Sequence, residues 1–428
     1  MSKPRPSWTL AEWLDWLETL SPREIDLGLG RVVAVLDRLS LERPELVLHV
    51  AGTNGKGSCA AMLESLLLEG GRRTGCYTSP HVLRYTERIR VDRRALDDEA
   101  IVDAFRAVEA HRDGVLLTYF EYGTLAALVA FQAAGASHLV LEIGLGGRLD
   151  AVNAVEPDGA VITNVTLEHR DWLGDTVEAI AREKAGVMRA GKPVVFGSPA
   201  VPQTIVSEAR RVGADLHLPG RDYSHEATGA AGWRWRGRHV VLDDLRIPSL
   251  HGAFQLQNAS AVLALVEALA LDSLLSKNHV DSAFSRLEIP GRFQRISARH
   301  EWLLDVAHNP DAARVLGESL ALMPKPGGVT AVVGILADKD VAGIVGPLEP
   351  QVDRWVAVTA EHVRARPARQ LAQAIAQLTG KPCLVEDDVA AAMCRLDELA
   401  GREELLLVTG SFYTVGPALK WLIRASAA

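Results

Sequence analysis

Short apolar runs alternate with longer amphipathic segments along much of the chain. The run at residues 46–50 precedes a glycine-rich loop and an apolar segment near 58–68, which predicts a strand, a loop and a helix. Further strands are predicted near residues 75–78, 138–143, 160–163 and 193–196, with helical patterns between most of them. This alternation predicts a mostly parallel sheet covered by helices on both faces.

Residues 223–248 interrupt the alternation. Trp233, Trp235 and the alternating Val and Leu residues around them predict a small antiparallel insert. A helix over residues 258–269 then completes the first domain.

Pro290 and Gly291 mark a junction, after which a second series of strands and helices begins. Strands are predicted near residues 302–306, 330–336, 354–358, 383–385 and 405–409, and helices near 311–322, 369–378, 389–399 and 415–424. The chain is therefore predicted to be an α/β protein with a larger domain over residues 1–290 and a smaller one over 296–428. The second domain has no GxGxxG pattern, so its sheet does not imply a dinucleotide.

The composition fits this globular picture. The 428 residues are 48% hydrophobic and 23% charged, which excludes a disordered or fibrous chain. The net charge of −8, with no long basic block, argues against a general nucleic-acid binder. The four cysteines form no CxxC pair or zinc spacing, and no signal-peptide pattern is seen, so a cytoplasmic protein is expected.

One apolar stretch, between Glu121 and Glu142, resembles a membrane span in composition. Glycine and polar residues interrupt it, so it is predicted as a buried helix to about Ala134, a turn at Gly135 and a buried strand. No membrane association is expected.

The loop after the first strand carries the strongest chemical signal: it contains Thr53, Asn54, Gly55, Lys56, Gly57 and Ser58. Backbone amides and a helix N-terminus bind phosphate, the lysine bridges the outer phosphates, and the serine hydroxyl reaches a magnesium ion. Gly57 between Lys56 and Ser58 departs from the usual P-loop expression. The alternative is a plain glycine-rich turn, but the strand–loop–helix context with lysine favours a P-loop-type domain.

Two candidate side chains lie at or after the ends of predicted strands. Glu142 ends the buried strand that precedes a glycine-rich segment, at the edge where ligands of parallel sheets bind, and its oxygens suit magnesium. His169 follows the next strand and is a candidate for a second site. A helix cap or surface carboxylate for Glu142, and a structural histidine for His169, are the alternatives.

Lys184 lies on the apolar stripe of a helix predicted over residues 176–188, seven residues after Val177. The spacing favours a lysine whose amine reaches the surface. The alternative is a buried amine with a lowered pKa, which in its neutral form reacts with carbon dioxide to give a carbamate beside a metal site.

In the second domain, Asp305 and His308 lie at the end of a predicted strand. Asn309 and Pro310 suit the N-cap and first turn of the following helix. Capping explains Asn309 and Pro310 but not Asp305 or His308, which are predicted to face the domain cleft.

A set of motifs runs in order across nearly the whole chain: residues 52–58, 78–81, 85–88, 142–150, 169–174, 182–186, 290–293, 305–310 and 409–412. This set resembles the folylpolyglutamate synthase and dihydrofolate synthase branch of the Mur ligase superfamily. The resemblance implies a Rossmann-like second domain and ATP bound between the two domains.

The resemblance also implies roles for individual residues. Residues 53–58 would hold the ATP phosphates, and Asn258, Arg292 and Asp305 would contact ATP, with His308 nearby as a candidate catalytic residue. Ser79 and Glu142 would hold one Mg²⁺, with Ser58 as a further contact, and His169 would help to hold a second. Lys56 would act in catalysis. Lys184 would do so as N6-carboxylysine, which reverses the interpretation from spacing alone.

Three segments resemble those that help to hold dihydropteroate in the bifunctional bacterial enzymes. They contain Asp26, Leu27, Gly28 and Leu29; Thr118, Tyr119, Phe120 and Glu121; and Leu149, Asp150 and Ala151. The reaction implied is transfer of the ATP γ-phosphate to a carboxylate, followed by attack of the L-glutamate amine on the acyl phosphate. Dihydropteroate and reduced folates would be the acceptors, and the protein would be a monomer.

Four other functions stay open at this point. The chain could have folylpolyglutamate synthase activity only, or be a muramyl-type amino-acid ligase, although little room for a nucleotide-sugar domain precedes the phosphate loop. A P-loop switch protein is less favoured because no Asn-Lys-x-Asp signature is present. A small-molecule kinase would release a stable phosphorylated product rather than an amide.

Overall fold

The structure is a computed structural model that describes residues 4–5, 7–21, 25–229, 232–250, 252, 254–325, 327–401 and 403–427. The chain divides into two units. The first comprises Met1–Pro80, Tyr85–Ser249 and Gln255–Leu287, and the second comprises His81–Arg84, Leu250–Phe254 and Glu288–Ala428.

The first unit contains most of the helices and strands. The helices are α1 (Leu10–Leu20), α2 (Gly30–Leu39), α3 (Lys56–Glu69), α4 (Asp98–Arg112), α5 (Tyr119–Ala133), α6 (Arg170–Leu173), α7 (Val177–Ala185), α8 (Gln203–Val212), α9 (Phe254–Ala268) and α10 (Lys277–Phe284). The strands are β1 (Leu46–Ala51), β2 (Thr74–Tyr77), β3 (Ile89–Val91), β4 (Arg94–Ala95), β5 (His138–Glu142), β6 (Gly159–Ile162), β7 (Pro193–Phe196), β8 (Asp215–His217), β9 (Ser224–Ala227), β10 (Gly232–Arg236) and β11 (Val241–Arg246).

The main sheet places β1 at its centre. Among the described residues, its strand order is β4-β3-β2-β5-β1-β6-β7-β8. The strands from β2 to β8 in this order are parallel, and β3 and β4 are antiparallel additions at one edge. After β1 the chain connects to β2, on the β5 side of β1, and after β5 it connects to β6, on the opposite side of β1. The connections therefore run in opposite directions from the centre of the sheet. Ligands of open α/β sheets bind at such a switch point, outside the carboxyl ends of the strands.

The apolar stretch before Glu142 is buried in the core of this unit, as the sequence predicted. Helix α5 ends at Ala133, Gly135 adopts φ +69°, and β5 begins at His138. Side chains such as Phe131 are 1% exposed, and burial of a side chain of this size contributes about 1.5–3 kcal/mol. Among the described residues, no helix is long and apolar enough to cross a membrane.

The predicted insert is confirmed as a separate antiparallel sheet, in the order β11-β10-β9. Trp233 and Trp235 alternate inward on β10 and are both fully buried. Their indole N–H groups donate to the carbonyls of Arg246 and Ser260, at 3.0 and 3.1 Å. Ala230 and Ala231 lie outside the described residues.

The second unit is a smaller α/β sheet. It contains α11 (Pro310–Ala321), α12 (Val341–Leu348), α13 (Ala368–Thr379), α14 (Val389–Leu399) and α15 (Phe412–Ala427). Its strands are β12 (Gln294–Ser297), β13 (Glu301–Leu304), β14 (Val329–Val333), β15 (Arg354–Ala357), β16 (Cys383–Val385) and β17 (Leu405–Thr409). In the described residues the order is β12-β13-β17-β14-β15-β16, with only β12 antiparallel. The α/β class predicted from the sequence is confirmed.

Helix α7 and strand β14 end earlier than their apolar patterns predicted, and β13 also ends early, at Leu304 rather than near 306. Helix α7 ends at Ala185 because the next residue, Gly186, lies against the backbone of Arg148, where a Cβ would approach the Arg148 Cα to 2.4 Å. Strand β14 ends at Val333 rather than near 336. At Gly334 a Cβ would lie 2.4 Å from the Thr414 hydroxyl, so the chain turns where no side chain fits.

Candidate active site

The phosphate loop connects β1 to α3 and is anchored to the end of β6. The Thr53 amide donates to the Asn164 carbonyl at 3.1 Å, and the Asn54 amide donates to Asn164 Oδ1 at 3.0 Å. The Thr163 hydroxyl donates to the Asn54 carbonyl at 2.6 Å. Sequence reasoning missed Thr163 and Asn164, and the only signal for them was a polar pair directly after a buried strand.

Two glycines let this loop fold. Gly52 has φ +141°, and a Cβ there would lie 1.8 Å from the Thr163 hydroxyl oxygen. Gly55 has φ +84° and packs against Asn258, where a Cβ would lie 2.8 Å from Oδ1. The predicted ATP contact Asn258 therefore lies beside the loop, on α9, and is 7% exposed.

Lys56, the first residue of α3, points back across the loop. Its Nζ donates to the carbonyls of Gly52 and Thr53, at 3.1 and 3.0 Å. These carbonyls hold the ammonium group within the curve of the loop, next to the backbone that a phosphate would approach.

Ser79 and Glu142 are brought together at the carboxyl ends of β2 and β5. The Ser79 amide donates to Glu142 Oε2 at 3.2 Å, and Glu142 is 4% exposed. A Cβ on Gly57 would lie 3.9 Å from the same carboxylate oxygen, so Glu142 borders the phosphate loop. Ser58 is buried and its hydroxyl accepts from Gln255 at 3.3 Å.

The donor chemistry of this group suits magnesium. Serine hydroxyls and a carboxylate are hard oxygen ligands, and Mg²⁺ is usually held by one or two carboxylates together with substrate phosphates. In the described part of the chain, no three His, Cys, Asp or Glu side chains converge on one metal position. A metal bound here therefore depends on the hydroxyls and on the phosphates for the rest of its ligands.

His169 stands after β6 at the start of α6, in the left-handed region with φ +49°. Its Nε2 lies 3.5 Å from a carboxylate oxygen of Glu168. The structure thus gives His169 a carboxylate neighbour, while its relation to Glu142 stays a prediction.

Lys184 is buried, which decides between the two interpretations of its helix position. The residue is 3% exposed, and its Nζ donates to the Gly52 carbonyl at 2.8 Å, the carbonyl that also accepts from Lys56. Burial, and then the nearby charge of Lys56, lowers the pKa of the Lys184 amine to about 7. Near neutral pH, a large fraction of this amine is therefore uncharged.

The glycine-rich segment after β5 packs against the end of α7. The Arg148 amide donates to the Glu183 carbonyl at 2.8 Å, and a Cβ on Gly147 would lie 2.8 Å from that carbonyl. Asp150 is buried in this segment, where its carboxylate accepts from the amides of Leu145 and Val152. Burial raises the pKa of Asp150 to about 7.

The segments predicted to hold dihydropteroate also come together. Thr118 and Glu121 form a capping box at the start of α5, and Glu121 accepts from Arg31. Arg31 also pairs with Asp26 at 3.0 Å, so it joins the first segment to the second. Sequence reasoning missed Arg31.

Phe120, in the first turn of α5, faces the glycine-rich segment. The Phe120 ring lies 5.9 Å from that of Tyr77, and a Cβ on Gly144 would lie 2.5 Å from Phe120. Ala151 is buried and Leu149 is half-buried at the end of this segment.

In the second unit, Arg292, Asp305 and His308 also lie near one another. The guanidinium of Arg292 lies 5.3 Å from the ring centre of Phe412, and the His308 ring lies 5.9 Å from the same ring. Asp305 is half-buried; its carboxylate accepts from the Phe293 and Ala307 amides, and desolvation raises its pKa although Arg292 opposes the shift.

The cap predicted for α11 is confirmed. Asn309 caps the helix by accepting from the Ala312 amide at 2.9 Å, and Pro310 occupies the first turn. Capping therefore accounts for Asn309 and Pro310.

Comparison with known proteins identifies two domains in this chain. Residues 50–266 match the Mur ligase middle domain, and residues 291–412 match the Mur ligase glutamate ligase domain. The fold and the site together define a ligase of the Mur type.

Individual relatives show which family of Mur-type ligases this chain is similar to. The Escherichia coli (strain K12) dihydrofolate synthase/folylpolyglutamate synthase is 41% identical, over 97% of this chain and 96% of the relative. The structure of E. coli FolC in complex with DHPP and ADP matches with a TM-score of 0.93 at 40% identity, over 100% of both chains. The bifunctional folylpolyglutamate synthase/dihydrofolate synthase of Yersinia pestis, complexed with AMPPNP and Mn ion, matches with a TM-score of 0.91 at 40% identity, over 99% of this chain and 100% of that chain. This chain belongs to the dihydrofolate synthase/folylpolyglutamate synthase family, and the predicted family is confirmed.

Proposed function

We propose that this chain is an ATP-dependent amide ligase that joins L-glutamate to dihydropteroate, making dihydrofolate, and to reduced folates, making folylpolyglutamates. The observation that carries the proposal is the phosphate loop at the switch point of the sheet, with Lys56 inside it and the buried Glu142 at its border. The half-buried Tyr119 and Phe120, in the first turn of α5, supply apolar surface for a pterin.

The chemistry needs an activated acid, because a carboxylate does not react with an amine at neutral pH. The γ-phosphate of ATP passes to the carboxylate of the pterin substrate, and the leaving group is ADP. The glutamate amine then attacks the acyl carbon, the amide bond forms and phosphate leaves. An acyl phosphate hydrolyses in water, so the residues around it must also exclude water.

Lys56 stabilises the charge that develops on the transferring phosphoryl group, while the amides of residues 53–58 orient the phosphates. To reach a phosphate, the Lys56 ammonium must exchange its hydrogen bonds to Gly52 and Thr53 for bonds to phosphate oxygens. Both carbonyls belong to the loop itself, so the exchange needs only a local rotation of the side chain.

Magnesium would be held by Ser79 and Glu142, with Ser58 as a further contact, and His169 would help to hold a second ion. When bound, Mg²⁺ would neutralise negative charge on the phosphates during transfer. The hydroxyl and carboxylate donors at this edge of the sheet support the proposal.

We further propose that Lys184 is carbamylated and acts in that form near the metal. The carbamate needs a neutral amine, which a pKa of about 7 provides near neutral pH. A protein treated to remove carbon dioxide would lose activity and recover it on addition of bicarbonate, and the intact-protein mass would rise by one carbon dioxide. Equal activity with and without bicarbonate, with no change in mass, would contradict this role.

Asn258 is proposed to contact ATP from α9, and Arg292 and Asp305 to do so from the second unit, with His308 as a catalytic candidate beside them. Arg292 and His308 both lie against Phe412, and Asp305 interacts electrostatically with both of them, which supports a shared role for these three residues of the second unit. The protein is proposed to act as a monomer.

Phosphate release with ATP, magnesium and L-glutamate tests the function, with dihydropteroate or tetrahydrofolate added in separate reactions and product masses read alongside. Turnover with both, each product heavier by glutamyl residues, is the expected result. Turnover with tetrahydrofolate alone would remove the dihydropteroate half of the proposal, and no turnover with either would overturn it.

A matched pair of lysine variants tests the site within the same assay. Lys56→Met should lower kcat about 100- to 1,000-fold, as expected for loss of a donor to transition-state charge. Lys192→Met is the control, since Lys192 pairs with Asp158 at 3.1 Å on the surface of the same unit. Equal loss in both variants would refute a special role for Lys56.

A further inference from the structure

Arg31 joins the segment at Asp26 to Glu121, which lies 90 residues after Arg31 in the sequence. Its Nη1 lies 3.0 Å from an Asp26 carboxylate oxygen, and its Nη2 donates to the Asp26 carbonyl at 2.5 Å. Its Nε and Nη2 donate to Glu121 Oε1 at 3.1 and 2.9 Å. A planar guanidinium with its fixed fork of donors fits such a set of acceptors, whereas a lysine ammonium does not.

Glu121 also bonds to Thr118, so it connects Arg31 to the start of α5. The Thr118 amide donates to Glu121 Oε2 at 2.8 Å, and the Glu121 amide donates to the Thr118 hydroxyl at 3.3 Å. The Glu121 side chain is only 5% exposed, so its carboxylate is largely shielded from water and Arg31 compensates its charge. The guanidinium therefore also fixes the helical turn that carries Tyr119 and Phe120.

We propose that Arg31 is a positioning residue of the dihydropteroate subsite, setting the loop at Asp26 and the first turn of α5 at the spacing that the pterin needs. Arg31 acts through these two segments and not by touching the reacting atoms. This inference rests on the proposed function, because the subsite itself belongs to that proposal.

The alternative is that Arg31 serves stability alone. A purely structural ion pair would change the fraction of folded protein, and hence kcat for every substrate, without changing the KM of one substrate. A positioning role predicts a selective rise in the KM for dihydropteroate. The two roles therefore differ in the split between KM and kcat.

The test compares wild type with Arg31→Met and Arg31→Lys in steady-state kinetics, with the Kd for dihydropteroate measured by titration of intrinsic fluorescence. Loss of a hydrogen bond to a charged group weakens an interaction about 10- to 100-fold. We expect the KM and Kd for dihydropteroate to rise by this factor in Arg31→Met. The KM values for ATP and glutamate should stay within about twofold, since the phosphate loop is unchanged. Arg31→Lys should be intermediate, because one ammonium keeps the charge but not the fork.

Arg238→Met is the matched control. Arg238 makes two hydrogen bonds to Asp222, at 3.2 and 3.0 Å, and the exposed fractions of the two side chains, 35% and 9%, resemble those of Arg31 and Glu121. This pair borders the antiparallel insert, away from the predicted subsite. Arg238→Met should lose about as much thermal stability as Arg31→Met and keep the wild-type KM for dihydropteroate.

Three outcomes would overturn the inference: an unchanged KM and Kd for dihydropteroate in Arg31→Met, an equal rise in the KM of all three substrates, or the same KM change in Arg238→Met. If Arg31→Met does not fold, Arg31→Lys decides by the same measurements. Failure of the wild type to use dihydropteroate is a different result: it removes the dihydropteroate half of the proposed function, and this inference with it.

Discussion

Replacement of Gly52 by alanine is the sharpest test of how the phosphate loop is built. The backbone there has φ +141°, a conformation that costs a residue with a side chain on the order of 1–3 kcal/mol. The new Cβ would lie 1.8 Å from the Thr163 hydroxyl oxygen, and relief of such overpacking typically costs about 1–3 kcal/mol more. We therefore expect Gly52→Ala to lower the free energy of unfolding by about 2–6 kcal/mol.

The same change should weaken ATP binding, because the Gly52 carbonyl accepts from both Lys56 and Lys184 and Gly52 directly precedes the amides of residues 53–58, which are proposed to orient the phosphates. A loop that shifts to admit the methyl group moves these amide donors away from the phosphate oxygens. Hydrogen bonds to charged groups contribute about 1.5–3 kcal/mol, which corresponds to about a 10- to 100-fold rise in the Kd for ATP. Denaturant unfolding measures the first effect and isothermal titration with ATP measures the second.

Gly71→Ala separates backbone strain from the clash. Gly71 has φ +73° in the turn after α3, and a Cβ there meets nothing within 4 Å. Alanine should cost only the backbone strain, about 1–2 kcal/mol, and leave the Kd for ATP unchanged. If Gly52→Ala destabilises no more than Gly71→Ala and binds ATP as the wild type does, the reasoning is refuted.

Two further predictions concern buried titratable groups. The pKa of Lys184, lowered from 10.5 to about 7, means that stability of the unmodified protein rises with pH between about 7 and 10.5, where the unfolded state holds a proton that the folded state has lost. Denaturant unfolding in buffer free of carbon dioxide should show a gain of at most about 5 kcal/mol across this window, and its persistence in Lys184→Met would contradict the assignment. His49 is fully buried in β1, and burial lowers its pKa to about 3, so its share of stability is lost as pH falls from 6.5 towards 3. Relative to the wild type, His49→Leu should gain about 3 kcal/mol of stability between pH 7 and pH 4.5, and the exposed control His239→Leu should show no such gain.

The parts of the candidate site that could be predicted depend on residues that lie close together in the sequence. Residues 53–58 form a contiguous loop between a strand and a helix, so their spacing alone indicates the phosphate site. Glu142 was predictable because it directly follows a buried apolar run. The helix cap at Asn309 was likewise a local pattern.

The parts that could not be predicted depend on tertiary contacts. Asn164 holds the loop from 110 residues away, and Arg31 meets Glu121 from 90 residues away, so no spacing rule connects them. The early end of α7 has the same origin: Gly186 stops the helix because the backbone of Arg148 lies against it, and nothing near 186 in the sequence reveals that neighbour.

Lys184 shows why the helical pattern alone was insufficient. A position on the apolar stripe fits both a lysine that reaches the surface and a lysine that stays buried, because the stem packs in the same way in each case. What decides between them is an acceptor deep in the unit, and that acceptor is the Gly52 carbonyl. The same carbonyl holds Lys56, so the phosphate loop places a second positive charge beside the Lys184 amine and helps to lower its pKa. The loop proposed to bind phosphate thus also favours the neutral amine that the proposed carbamate requires.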